Sequence, residues 1–174
     1  MDNRIEQVNS WNANRAEAEF LKCCGAQAWA RAMAERRPFK DADSMFEDAD
    51  NVFELLSDED WMTAFRAHPK IGEQKAGDEQ SEAALRWSAQ EQSQTVTAPV
   101  GVLQALAAAN REYEERFGFI FIVCATGRTA DQMLSIIKQR ITNPPAAEFR
   151  IAAKEQKRIT QLRLQKLLDS LASS

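Results

Sequence analysis

The chain has 174 residues, 44% of them apolar, enough for one compact domain with a real core and too few for a second domain. Lys and Arg number 22 against 26 Asp and Glu, a net charge of −4, so no positive field draws in a phosphate backbone and nucleic acid is a poor partner. No apolar run approaches the roughly 20 residues that cross a bilayer; the opening MDNRIEQVNSWN lacks the apolar centre of a signal peptide, and three cysteines without C-x-x-C spacing fit a reducing cytosol.

Helical signals then run almost unbroken. Phe20, Leu21, Cys24 and Ala28 recur at helical spacing, with Asn14 and Glu17 as the capping pair that starts this helix. ERRPFKD, residues 35–41, ends the region. Met45, Phe46, Ala49, Phe53 and Leu56 then form one apolar face. Ser57 stops that helix and caps the next, whose first turn carries Asp58, Glu59 and Asp60, where the positive end of the helix dipole favours acids. This short helix is expected to reach about residue 67, with Trp61, Ala64, Phe65 and His68 on one face. Pro69 disfavours a helical conformation at residue 68 and closes it. PKIGEQKAGDEQ, residues 69–80, reads as a polar loop, and a helix follows from about Ser81 to Gln92. On it Ala84, Ser88 and Glu91 stand at i, i+4 and i+7, with Gln92 four residues after Ser88, so small and polar side chains occupy a face where apolar ones are the norm.

After TVTAP, residues 95–99, a further helix carries Leu103, Leu106, Ala107, Asn110 and Tyr113, and Gly118 suits a left-handed cap at its end. GFIFIVCA, residues 118–125, has the composition of a buried strand, yet no second run exists to pair with it. It is therefore expected as extended apolar chain threading the core, with its backbone groups bonded to something other than a sheet, a bound polar ligand being one candidate. Thr129 and Gln132 form a capping box before Met133, Leu134, Ile137 and Ile141. Asn143-Pro144-Pro145 punctuates once more, and the last helix spans about 145–171, roughly 40 Å, long enough for part of it to pack on a second subunit. The expected fold is all-α, a single-domain bundle of about seven to nine helices with an extended apolar segment near 118–125.

His68 is the only histidine. Spacing alone favours a packed aromatic residue at a helix end, and by the same standard Glu91 is a solvated helix residue and Ser88 a small residue at a helix contact. Trp61, Trp87 and the Met45, Phe46 and Phe53 stripe read as core, as do Cys23, Cys24 and Cys124. One histidine without clustered cysteines is a poor ligand set for zinc, so no metal is expected.

The order of several motifs changes that balance. HPKIG at 68–72, SAQEQ at 88–92, NREYEERFGFIFIVCATGRT at 110–129 and EFRIAAKEQKRITQLRL at 148–164 follow one another as in the 2-oxo-4-hydroxy-4-carboxy-5-ureidoimidazoline (OHCU) decarboxylases. The resemblance covers nearly the whole chain, because VNSWNANRAEAEFLKCC and Pro38-Phe39 also look like that family. It implies an all-α homodimeric enzyme of urate breakdown, needing no cofactor, that turns OHCU into (S)-allantoin and carbon dioxide. The family's catalytic histidine falls on His68, beside Pro69, and its S-x-x-E-Q residues fall on Ser88, Glu91 and Gln92. Glu91 either binds ureido or imidazoline N–H groups or holds His68 in one tautomer. The substrate-binding arginine falls on Arg163, with Arg140 competing, and Phe119 and Ile122 are expected to supply pocket wall and backbone contacts. Two departures stand out: the loop after HPKIG is a few residues longer than in some relatives, and Ser93-Gln94 replace a glycine the family often has. The chain ends in LASS, without a peroxisome-type tripeptide, and a bacterial cytoplasmic protein is expected. A second reading is a helical dimer that senses a ureide or purine product without turning it over.

Overall fold

The computed structural model describes residues 2–72, 82–95 and 97–172. Among these the chain forms nine α-helices and no strand: α1 Asn3–Ser10, α2 Ala13–Cys23, α3 Gln27–Glu35, α4 Ala42–Phe53, α5 Asp58–Arg66, α6 Glu82–Glu91, α7 Val100–Phe117, α8 Ala130–Arg140 and α9 Pro145–Ala172. The all-α expectation and the helix number are met. The polar loop expected at 69–80 is described only to Gly72; its remainder and Ser81 lie outside the described residues. The helices pack as two compact units, one of residues 2–64 with 157–172, the other of the described residues from 65 to 156, and α9 contributes to both.

The first unit is built around aromatic rings. Trp29 stacks on Phe53 at 5.4 Å and Phe53 on Trp61 at 4.9 Å, while Phe20 meets Trp29 and Phe39 edge-on at 6.3 and 6.1 Å. Burying each such ring contributes about 1.5–3 kcal/mol, so this cluster is the main reason the short helices around it hold. The indole N–H of Trp29 donates to the Ala49 carbonyl at 3.2 Å, removing the one polar penalty of its burial. Met45, Ala49 and Phe53 are buried on α4 as their spacing requires; Phe46 is half-buried, and Leu56 lies beyond the helix end, its place on the inner face taken by Val52. Ile159, Leu164, Leu167 and Leu168 of α9 complete this core.

One helix start differs from expectation. The cap of α2 is Asn12, whose side chain accepts from the Arg15 N–H at 2.8 Å, rather than Asn14. Trp11 and Ala16, the residues before the cap and in the second turn, are both buried, and this apolar pair sets where the chain enters the helix. The period that linked Phe20 to Ala28 also breaks: Cys24 is extended at the end of α2, Leu21 is 40% exposed, and Ala28 faces outward on α3. Arg37, in the ERRPFKD break, donates to the carbonyls of Ala34, Val8 and Trp11 at 3.0, 3.1 and 2.5 Å, satisfying backbone groups near the ends of α1 and α3.

In the second unit α7 ends at Gly118, whose φ of 76° is the left-handed conformation that favours glycine. After a bend at 118–119, residues 120–125 form neither helix nor strand, with Phe119, Phe121, Ile122, Val123 and Ala125 buried. Phe119 contacts the rings of Phe65, Phe149 and Tyr113 at 5.2, 5.9 and 5.9 Å. The Thr129–Gln132 capping box opens α8, each side chain bonded to the other's backbone N–H, at 3.2 and 2.9 Å.

Candidate active site

The unpaired backbone of the 120–125 segment is satisfied by side chains. Arg140, buried at the end of α8, donates from Nη1 to the Ile122 carbonyl at 2.7 Å. The Glu155 carboxylate accepts the Cys124 N–H at 2.7 Å, and Arg128 Nε donates to the Cys124 carbonyl at 3.1 Å. Arg140 is itself tied to Glu148, Nε and Nη2 meeting one carboxylate oxygen at 2.7 and 2.6 Å, and its guanidinium lies 4.7 Å from the Phe121 ring centre. Glu148 has no exposed surface and also accepts from the Tyr113 hydroxyl at 2.5 Å and Asn143 Nδ2 at 2.9 Å. Burial, and next the bond to Glu148, push the Tyr113 hydroxyl well above the ordinary phenol range. This network ties Arg140, the competing candidate for the substrate-binding arginine, to Glu148 and to the backbone of Ile122. The carbonyl of Ile122 is spent on the same clamp.

The HPKIG turn is fastened at almost every residue. His68 follows the end of α5, its backbone N–H bonded to the Phe65 carbonyl at 3.2 Å and its ring half-buried. Nε2 lies 2.6 Å from Oε1 of Gln156, a side chain of α9 with no exposed surface. Pro69 is buried. Lys70 pairs with Glu114 at 2.7 Å, Asn110 Nδ2 donates to the Ile71 carbonyl at 3.1 Å, and the Gly72 N–H donates to Gln92 Oε1 at 3.0 Å. Gly72 has φ +83°, a second position where glycine is required. The last of these bonds joins the histidine turn to the end of α6, which carries Ser88, 4% exposed, and Glu91, half-buried. Burial chiefly raises the Cys124 thiol, and the negative charges of Glu155 and then Glu91 add to it, so both carboxylates lie within electrostatic range of the 120–125 segment.

His68, Pro69, Ser88, Glu91, Gln92, Phe119 and Ile122 thus belong to one compact unit. Arg163 belongs to the other, 3% exposed on α9, where its charge only partly offsets the burial that pushes Cys24 up to about 12 and Cys23 higher still. Among the described residues no three His, Cys, Asp or Glu side chains cluster as a metal site, and no helix is long and apolar enough to cross a membrane. Sequence reasoning passed over Gln156 and Glu148, weighed Glu155 only as a surface ion-pair partner, and read Asn110 as a helix residue rather than a site residue. Their common signal was polarity at helix positions whose neighbours Ala152, Ile159, Leu106 and Tyr113 are buried.

The chain matches the OHCU decarboxylase family over residues 9–165. It is 38% identical over 156 residues to the uric acid degradation bifunctional protein TTL of Arabidopsis thaliana, covering 90% of this chain and 48% of that protein. It is 25% identical over 174 residues to the uric acid degradation bifunctional protein of Bacillus sp., with 94% and 32% covered, so the chain spans less than half the length of these two relatives. With the 2-oxo-4-hydroxy-4-carboxy-5-ureidoimidazoline decarboxylase of Amia calva it shares 30% identity over 179 residues, 97% of each chain. Among solved structures, an OHCU decarboxylase crystallised in the presence of (S)-allantoin superposes with a TM-score of 0.75 at 37% identity, covering 87% of this chain and 97% of that one.

Proposed function

We propose that this chain, which belongs to the OHCU decarboxylase family, decarboxylates OHCU to (S)-allantoin and carbon dioxide in urate degradation. The observation that carries this reading is the fastening of the sole histidine: His68 sits on a buried amide, in a turn bonded to the helix that bears Ser88 and Glu91. Its chemistry needs no cofactor. As the bond to the carboxylate breaks, its electron pair moves into the bond toward the ureido-bearing carbon, and the adjacent C=N takes up the charge. That ring nitrogen takes a proton from water, and the enol-like intermediate then loses its hydroxyl proton and gains one at the ureido-bearing carbon. The protein's tasks are to orient the carboxylate, stabilise the enol and deliver that proton to one face.

His68 is the proton carrier, its imidazole being the side chain whose ordinary pKa suits exchange near neutrality. Glu91 accepts N–H groups of the ureido or imidazoline portion, and Ser88 and the Gln92 amide serve the remaining polar groups. Pro69, Phe119 and Ile122 form the pocket wall, and Arg163 grips a substrate oxygen with its planar fork. The enzyme works as a cytoplasmic homodimer, which light scattering tests as twice the chain's mass. The decisive experiment adds the protein to freshly generated OHCU and follows optical rotation. Rapid appearance of one allantoin enantiomer is expected; the slow, racemic background rate with active-quality protein would defeat the reading in favour of a product-binding dimer.

A further inference from the structure

We infer that Gln156 is the positioning residue of His68: its buried amide oxygen accepts a hydrogen bond from Nε2–H and so leaves Nδ1 as the nitrogen that exchanges protons. The inference rests on the decarboxylase reading only for what Nδ1 acts upon; the pinning itself stands on geometry. The two atoms are 2.6 Å apart, a short hydrogen bond, and an amide oxygen only accepts, so the ring nitrogen facing it carries the hydrogen. In the neutral imidazole the lone pair is then on Nδ1.

Three features make this pin effective. Gln156 has no exposed surface, so its amide cannot turn to water without leaving the core. The backbone of the turn is independently held through His68 N, the Ile71 carbonyl and the Gly72 N–H, so the ring cannot leave Gln156 by movement of the chain. Finally, the acceptor is uncharged. A carboxylate behind a histidine favours the imidazolium, whereas an amide oxygen accepts the same Nε2–H hydrogen bond from imidazole and imidazolium alike. The ring therefore takes up and releases a proton at Nδ1 without changing its orientation, which is what a group that first removes one proton and then returns another requires. Gln156 lies 88 residues from His68 in the sequence.

Because the chain has one histidine, its imidazole signals in 15N-labelled protein need no assignment. A one-bond proton–nitrogen correlation from Nε2 is expected in the native protein, together with an unprotonated Nδ1 in the neutral ring. It is expected to persist in Gln156→Glu, which keeps an acceptor, and to vanish by exchange with water in Gln156→Leu. Turnover of Gln156→Leu is expected to fall about 10- to 100-fold in kcat with KM changed less than about 3-fold, the pattern of a misaimed catalytic group rather than lost binding. A correlation from Nδ1 in place of Nε2 overturns the inference, as does an unchanged kcat in Gln156→Leu. Should that variant not fold, the native and Gln156→Glu spectra decide alone. A pinned Nε2 proton in a protein without decarboxylase activity would sink the proposed function and leave the pinning intact.

Discussion

Arg140→Met tests whether the buried arginine is scaffold or substrate clamp. The change removes a guanidinium that is 7% exposed and strands a fully buried Glu148 carboxylate, whose nearest cation was 2.6 Å away. Breaking a buried pair from one side costs about 3–5 kcal/mol. The Ile122 carbonyl simultaneously loses its donor, a further penalty of about 1–3 kcal/mol if water cannot replace it. Against a total stability of about 5–15 kcal/mol the loss is severe. With a urea slope of about 2 kcal/mol per M, the pair alone moves the unfolding midpoint down by roughly 1.5–2.5 M. Urea titration followed by tryptophan fluorescence reads this directly. The same substitution made in a Glu148→Gln background should cost about 2 kcal/mol less, because the stranded charge is already gone. A midpoint within about 0.5 M of the parent's, with a raised KM, would mean that Arg140 serves the substrate and that the scaffold argument is wrong.

Other outcomes follow from the same contacts. His68→Asn keeps its helical circular dichroism and loses about 100-fold or more in kcat, since only the proton carrier changes; a near-normal rate would remove His68 from the mechanism. Arg163→Lys keeps the charge and loses the fork, so KM should rise about 10-fold, and an unchanged KM in steady-state kinetics would end its assignment to the substrate. Burial raises the folded-state pKa of Cys24 from an ordinary 9.0 to about 12, so the folded protein holds a proton the unfolded chain releases. The stability this provides is complete below pH 9.0 and is lost as pH climbs toward about 12. Urea titrations between these limits should show the decline, partly flattened in Cys24→Ala, and identical profiles for the two proteins would contradict it. Gly118→Ala meets no atom within 4 Å, so its cost is the left-handed backbone alone, about 1 kcal/mol in urea unfolding; a loss above about 3 kcal/mol would show that packing matters there.

How much was legible in the sequence depended on the range of each interaction. The Ser57–Asp60 and Thr129–Gln132 caps and the Gly118 stop join groups within a few residues of one another, so the local pattern specifies them before any packing exists. The helical faces of α4, α5 and α7 and the non-helical, buried stretch at 120–125 were readable for a similar reason: period and propensity are properties of adjacent residues. Asn12 displaced Asn14 as a cap because burial of Trp11, a tertiary event, set the start of α2.

By itself, then, the chain determined its all-helical character, the stops and caps at Ser57, Gly118 and Thr129, and the order of motifs that places it in its family. Only the tertiary structure decided which polar groups meet. Arg140 reaches Ile122 across 18 residues, Glu155 reaches Cys124 across 31, and Gln156 reaches His68 across 88. Those partners are chosen by a buried group's need for a hydrogen bond where water is excluded, and no local pattern says which distant side chain the packed core will bring within 3 Å.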